Sequence, residues 1–281
     1  MPEPLPRSLK QSIAYWCFNV GGEQWSLDRL CEVANELKCA SVELVESAEQ
    51  LAVIQKHGLT CALLGLDMLP DPPFMFGFNN PDHWPRLFQQ TKAGIDAASA
   101  YGCLNMIVFT GYAARDPRQP DGEQISLAEG AANCVRGLKE MVGYAADKNV
   151  TLVLEPLSTR DSSHPMKGHP GYQGDHIDYC VDIIKAVDSP TLKLLFDIYH
   201  TQVMDGDIIR RIHELGDLIG HVHTAGNPGR CELDDRQEIA FRPIMQALVD
   251  IGYQGYVGHE YIPTRAPYPA LKEAVELCAS V

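Results

Sequence analysis

Residues 192–226, LKLLFDIYHTQVMDGDIIRRIHELGDLIGHVHTAG, hold one complete unit of a repeating pattern. A short apolar run at 193–197 ends on an acid. A helical pattern follows at 204–216, and a second apolar run at 219–223 ends on a histidine. Strand, helix, strand in that order gives a parallel pair joined by a crossover helix. The same alternation extends in both directions. Further strand-like runs lie at 12–17, 41–45, 60–64, 105–110, 151–155 and 255–260, most of them flanked by Gly, Pro or Asn. Such short, near-continuous apolar runs belong to buried parallel strands. Helical patterns lie between them. SLDRLCEVANEL opens on Ser26 as an N-cap, with apolar residues at 27, 30, 31, 34 and 37, and SAEQLAVIQKHG stops at Gly58. Others fall near 82–101, 125–148, 175–187, 240–251 and 268–279.

That makes eight strand–helix units in 281 residues, about 35 residues each. Eight such units have the size of a TIM barrel. An open doubly wound sheet would need a glycine-rich phosphate loop after an early strand, and neither G-x-G-x-x-G nor G-x-x-x-x-G-K-[ST] occurs. No internal repeat, low-complexity tract or linker divides the chain. The expected fold is therefore α/β, a single (β/α)8 TIM barrel over residues 1–281. The proline-rich stretch 69–85, LPDPPFMFGFNNPDHWP, is too apolar for a linker and reads as a loop packed over one end of the barrel.

Composition narrows the function. Lys and Arg number 23 against 37 Asp and Glu, a formal charge of −14. Nucleic-acid binding calls for a basic face, so it is excluded as an expectation. A small anionic substrate is not excluded, because one local cation can hold it. The nine cysteines form no C-x-x-C pair and sit in apolar stretches, as reduced packing residues in a cytoplasmic setting. The start, MPEPLPRSLKQS, has no apolar run and does not read as a signal peptide. No stretch approaches the ~18 apolar residues of a membrane span.

In a TIM barrel the reactive groups stand at the C-terminal ends of the strands. VLEP, LFDIYH, HVHTAG and GHEY place Glu155, Asp197, His223 and Glu260 at four successive strand ends, 42, 26 and 37 residues apart. Any one of them alone would pass as a loop carboxylate, a turn cap or a core histidine. Four on consecutive strands converge above the barrel axis. Three carboxylates at one point repel and would be driven to protonate, and a divalent cation removes that conflict. A donor set of three carboxylates and one imidazole suits Mn²⁺, Mg²⁺ or Co²⁺ better than thiolate-type zinc. His200, three residues after Asp197, can aim at the same ligand. Arg230, in the loop TAGNPGR, is the cation to hold a substrate carboxylate. His221 shares a strand face with His223 one layer deeper and reads as packing or support, whereas His259 faces away from Glu260 and reads as structural. Glu43 lies near the end of the second strand and could point at the same mouth, with nothing nearby to support a role. The loop 162–174, with His164, Lys167 and His169, reads as a lid or a passive loop.

LLFDIYHTQVMDGD (194–207), LIGHVHTAGNPGRCE (218–232) and GYQGYVGHEYIP (252–263) resemble the hydroxypyruvate isomerase family, within the wider xylose-isomerase-like TIM barrels that include ketose 3-epimerases and inosose dehydratases. The resemblance is strongest over 150–263. It implies a divalent metal, Mn²⁺ or Mg²⁺ before Co²⁺, held by Glu155, Asp197, His223 and Glu260. It implies that Glu155 and Glu260 form the acid–base pair, that His200 contacts a substrate oxygen and that Arg230 matches the arginine after strand seven. It also implies a homo-oligomer paired through the outer helices. The pattern departs from the isomerase family in three places. His223 stands where those isomerases carry Gln and ketose 3-epimerases carry His. ALLGLD (62–67) lacks the usual His or Asn, and DDRQEIAF (234–241) replaces G-x-G-E-I-N-Y.

The expected activity is a metal-dependent isomerisation of a small 2-oxo or hydroxy acid, hydroxypyruvate to tartronate semialdehyde, by Glu-mediated proton transfer through an ene-diolate. The alternatives are a ketose 3-epimerase with the same metal and Glu pair, a nuclease on the same barrel, which the charge opposes, and a sugar-acid-binding barrel without turnover.

Overall fold

The computed structural model describes residues 9–20 and 23–281, so the N-terminal stretch read above lies mostly outside the described residues. Eight parallel strands carry the interior: β1 (Lys10–Ala14), β2 (Ser41–Glu43), β3 (Thr60–Cys61), β4 (Asn105–Val108), β5 (Thr151–Leu154), β6 (Leu192–Asp197), β7 (Ile219–Thr224) and β8 (Tyr256–His259). Their order in the sheet is β3-β2-β1-β8-β7-β6-β5-β4. Leu64 joins the two ends of that order: its N–H donates to Asn105 O at 2.9 Å and its carbonyl accepts from Ile107 N at 3.0 Å. The result is the (β/α)8 barrel expected from the alternation of elements.

The helices wrap the outside. They are α1 (Leu27–Glu36), α2 (Ala48–Lys56), α3 (Trp84–Tyr101), α4 (Leu127–Asp147), α5 (Ile177–Val187), α6 (Ile198–Met204), α7 (Ile208–Leu215), α8 (Phe241–Asp250) and α9 (Pro267–Cys278). Ser26 caps α1 as expected, and Ser47 with Gln50 forms a reciprocal capping box on α2. In α4 the buried Cys134, Leu138, Met141 and Ala145 recur at steps of three and four and lay one face on the sheet. All nine cysteines are free, and only Cys231 is more than slightly exposed. No helix among the described residues is long and apolar enough to cross a membrane.

Three local expectations are corrected. The first strand ends at Ala14 rather than 17, because the chain turns at Tyr15 into a short 3-10 turn at Trp16–Phe18. An apolar run cannot by itself distinguish strand from buried turn. The third strand stops at Cys61, and only Leu64 of its expected second half still pairs. The helix read at 204–216 is α7, which starts only at Ile208, and an unexpected helix, α6, precedes it. Asp197 caps α6 directly at the end of β6, accepting from His200 N at 2.8 Å. Gly206 (φ +68°) and Asp207 (φ +53°) then break the chain before α7.

One irregularity positions the strand ends. β6 and β7 pair Leu194 with Ile219 but Leu195 with His221, so a bulge shifts the register between Leu194 and Leu195. Above it Asp197 lies beside His223. Without that shift Asp197 would stand opposite Val222, and a one-residue slip turns side chains to opposite faces. Leu195, fully buried, shares the inner face with Asp197. Leu195→Ala should lower unfolding free energy by roughly 2–5 kcal/mol, read from urea denaturation as a lower midpoint at unchanged slope.

Candidate metal centre

Asp197 is the last residue of β6 and His223 lies one before the end of β7, while Glu155 and Glu260 directly follow β5 and β8. All four are buried, and one ligand atom from each falls within 4.8 Å of the others. His223 Nδ1 lies 2.9 Å from Glu260 Oε2, 3.5 Å from Glu155 Oε1 and 4.0 Å from Asp197 Oδ2. The four expected ligands are therefore one cluster in space.

The remaining expected residues stand around it. His200 is buried, and its Nδ1 accepts the Ser158 backbone N–H at 3.1 Å with Ser158 Oγ at 2.9 Å. That bond places the imidazole proton on Nε2. Nε2 sits 4.0 Å from Asp197 Oδ2 with no hydrogen-bond partner among the described residues. Arg230 is held inside by its own loop, where Gly229 (φ +92°) and Arg230 itself (φ +50°) adopt left-handed backbone. A non-glycine residue there costs of order 1–3 kcal/mol, which the contacts of its side chain offset. Its guanidinium donates to Glu260 Oε2 at 2.5 Å and to Met166 O at 2.7 Å, and lies over the Trp16 ring at 5.2 Å. In this structure Arg230 thus spends its first bond on Glu260. Five N–H groups leave donors over for a second anion.

His221 and Glu43 lie behind the cluster: Glu43 Oε1 takes His221 Nε2 at 3.1 Å and His223 Nε2 at 2.9 Å. His259 faces away, bonded to Gln11 and Thr224. In the loop 162–174, His169 borders the site while Tyr199 Oη and Arg230 bind the carbonyls of Lys167 and Met166. Trp16 was not singled out in the sequence, yet its indole N–H donates to Glu260 Oε1 at 2.8 Å. In sequence it sits inside the apolar run read at 12–17, which gives no signal of a site.

The electrostatics separate the two glutamates. Burial pushes the Glu155 carboxyl up to about 7, against the pull of His223. Burial acts on Glu260 in the same sense, but Arg230 and His223 outweigh it and hold the group down at about 2. Asp197 is raised by burial against the opposing charge of Arg230. Burial, then Arg230, keeps His200 neutral. Glu155 Oε1, Asp197 Oδ2 and His223 Nδ1 are buried and lack hydrogen-bond partners among the described residues. Buried polar atoms are rarely left so, and three around one point fit a bound cation. The donor set, three carboxylates and an imidazole, could hold a divalent metal through Glu155, Asp197, His223 and Glu260.

A cavity of about 250 Å³ opens over the cluster. Glu155, Glu260, Arg230 and His169 supply its polar side. Trp16, Leu66, Phe74, Phe109, Leu157 and others form an apolar wall, part of it from the proline-rich stretch 69–85. That stretch is tied to the end of β4, with Asn79 N on Thr110 O at 2.9 Å, so it packs over the mouth as expected.

Comparison with known proteins bears on the family and the fold. Residues 27–281 match the family described as xylose isomerase-like TIM barrel. A putative hydroxypyruvate isomerase of Mus musculus is 34% identical over 168 residues, 59% of this chain and 56% of that protein. A 2-oxo-tetronate isomerase of Cupriavidus necator is 35% identical over 132 residues, 47% of this chain and 48% of the relative. The chain thus matches about half the length of these curated relatives. Among solved structures, a family 2 AP endonuclease of Brucella melitensis superposes with a TM-score of 0.78 at 23% identity, covering 94% of this chain and 97% of the other.

A cation at this cluster competes with the proton on Glu155. Because its carboxyl is raised to about 7, Glu155 is free of its proton above that pH and increasingly protonated below it. Mn²⁺ titrations at pH 8, 7 and 6 should show affinity falling toward pH 6, by up to about tenfold per unit, with proton release on binding.

Proposed function

The chain belongs to the xylose isomerase-like TIM barrel family, and we propose from that premise that it is a metal-dependent isomerase of a small 2-oxo acid. The substrate class that best fits is hydroxypyruvate, interconverted with tartronate semialdehyde by a proton shift between adjacent carbons. The observation that carries this reading is the pair of buried glutamates, Glu155 and Glu260, bordering one cavity beside three unpartnered donor atoms.

When bound, a divalent cation, Mn²⁺ or Mg²⁺, would supply Lewis acidity to the substrate oxygens that gain charge as the proton leaves. The protein's own groups divide the rest. Glu155, with an unpartnered oxygen, takes the carbon-bound proton. Glu260 is held ionised between Trp16 and Arg230 and faces it across the cluster, and the proton Glu155 has taken returns to the neighbouring carbon from Glu155 itself or after passing to Glu260. His200 Nε2–H donates to a substrate oxygen, and its neutral state lets it do so without giving up a full charge. Arg230 holds the substrate carboxylate with the N–H groups that Glu260 and Met166 leave over. The apolar wall keeps water from the carbanion-like carbon.

A second reading is a ketose 3-epimerase. The cavity, with Trp16, Phe74 and Phe109 on its walls, is larger than a three-carbon acid fills. A longer substrate, a 2-oxo acid of four carbons or a ketose, would occupy more of it.

Deuterium exchange from solvent into a panel of three- and four-carbon 2-oxo acids and ketoses, with and without Mn²⁺, tests both readings. Metal-dependent exchange into hydroxypyruvate is expected. Exchange confined to carbon 3 of ketoses would favour the epimerase, and no exchange at all would leave a sugar-acid-binding barrel. Glu260→Gln should cut turnover by about 10²- to 10⁴-fold while part of the metal binding survives, and near-wild-type turnover in that variant would sink the assignment.

A further inference from the structure

We infer that Glu43 is a positioning residue for His223, and that Gly258 is glycine in order to admit its carboxylate. The inference rests on the reading that Glu155, Asp197, His223 and Glu260 hold a divalent cation.

Glu43 ends β2, and β1 and β8 lie between β2 and β7 in the sheet. Its side chain crosses the barrel interior to reach β7, 180 residues away in sequence. The path runs over Gly258 of β8. A Cβ on that residue would lie 2.0 Å from Glu43 Oε1 and 2.9 Å from His223 Cδ2. Gly258 is absent from the residues with left-handed backbone, so it provides space rather than an unusual conformation.

A carboxylate oxygen only accepts. Glu43 Oε1 therefore takes both Nε2–H groups, from His221 and His223, whose rings stand 86° apart with centroids at 4.9 Å. For His223 this has one consequence. With the Nε2 proton fixed, Nδ1 is the nitrogen that would give up its proton and turn a lone pair to a bound cation, and Nδ1 is the atom that faces Glu155, Asp197 and Glu260. An ionised partner on the far nitrogen also raises the basicity of the ligating one. His221 completes the acceptor's second bond and holds Glu43 in place.

Two other roles fit less well. A second cation between Glu43, His221 and His223 would require both Nε2 atoms to lose their protons, whereas both already lie at hydrogen-bond distance from a single oxygen. A purely structural role is poorly served by a buried carboxylate with two imidazoles, because apolar side chains of similar volume fill an interior at least as favourably.

The test is Mn²⁺ affinity by isothermal titration calorimetry, alongside the melting temperature of the metal-free protein. Glu43→Gln keeps the shape and removes the charge. It should weaken Mn²⁺ binding about 10- to 100-fold while the metal-free melting temperature moves by only a few degrees. Gly258→Ala puts its Cβ deepest into the Glu43 carboxylate and only marginally against the His223 ring, and should weaken binding comparably. In a Glu43→Ala background, where the deeper clash is gone, Gly258→Ala should cost clearly less. Wild-type affinity in Glu43→Gln, or a Gly258→Ala effect that persists undiminished without Glu43, would overturn the inference alone. Wild-type protein that binds no Mn²⁺ would overturn the metal reading, and this inference with it.

Discussion

Three carboxylates pointing at one place inside a protein are the constraint on which the rest of this structure depends. Glu155, Asp197 and Glu260 are buried together, and like charges at that distance cannot all stay ionised without compensation. Two cationic partners are built in. His223 faces all three, and Arg230 sits against Glu260 with Asp197 Oδ2 3.7 Å away. They do not balance the site fully, since Glu155 remains raised and three buried donor atoms lack partners among the described residues. A divalent cation would complete the account.

The compensation is uneven, and that unevenness separates the glutamates. Glu260 is tied on both oxygens, by Trp16 and by Arg230. Glu155 has an oxygen free, and its own carbonyl accepts from Tyr172 Oη, which also accepts the Thr110 N–H. Two carboxylates whose surroundings push them apart in acidity are what a proton shuttle between adjacent carbons requires. The barrel is the scaffold for this because parallel strands bring every C-terminal end to one mouth.

Much of this was legible in the chain. The eight strand–helix units follow from period and turn residues, and the four cluster residues follow from asking what stands at each strand end. Both are local properties. The corrections came where local signals are ambiguous. The apolar run past Ala14 continues into a turn, not a strand, and Asp197 starts a helix as well as serving the cluster. Both of its oxygens are used, Oδ1 for the His200 N–H and Oδ2 toward the site, and the spacing D-x-x-H is compatible with either role alone.

The sequence by itself determined the barrel and the identity of its four converging side chains, because strand alternation and strand ends are written within a few residues. Tertiary structure decided how those side chains are held. The bulge that levels Asp197 with His223, the reach of Glu43 across Gly258, and the placing of Trp16 and Arg230 on Glu260 all depend on register and closure of the sheet. Those are set by packing among residues far apart in the chain, and a side chain's partner across a barrel leaves no periodic trace in its own neighbourhood.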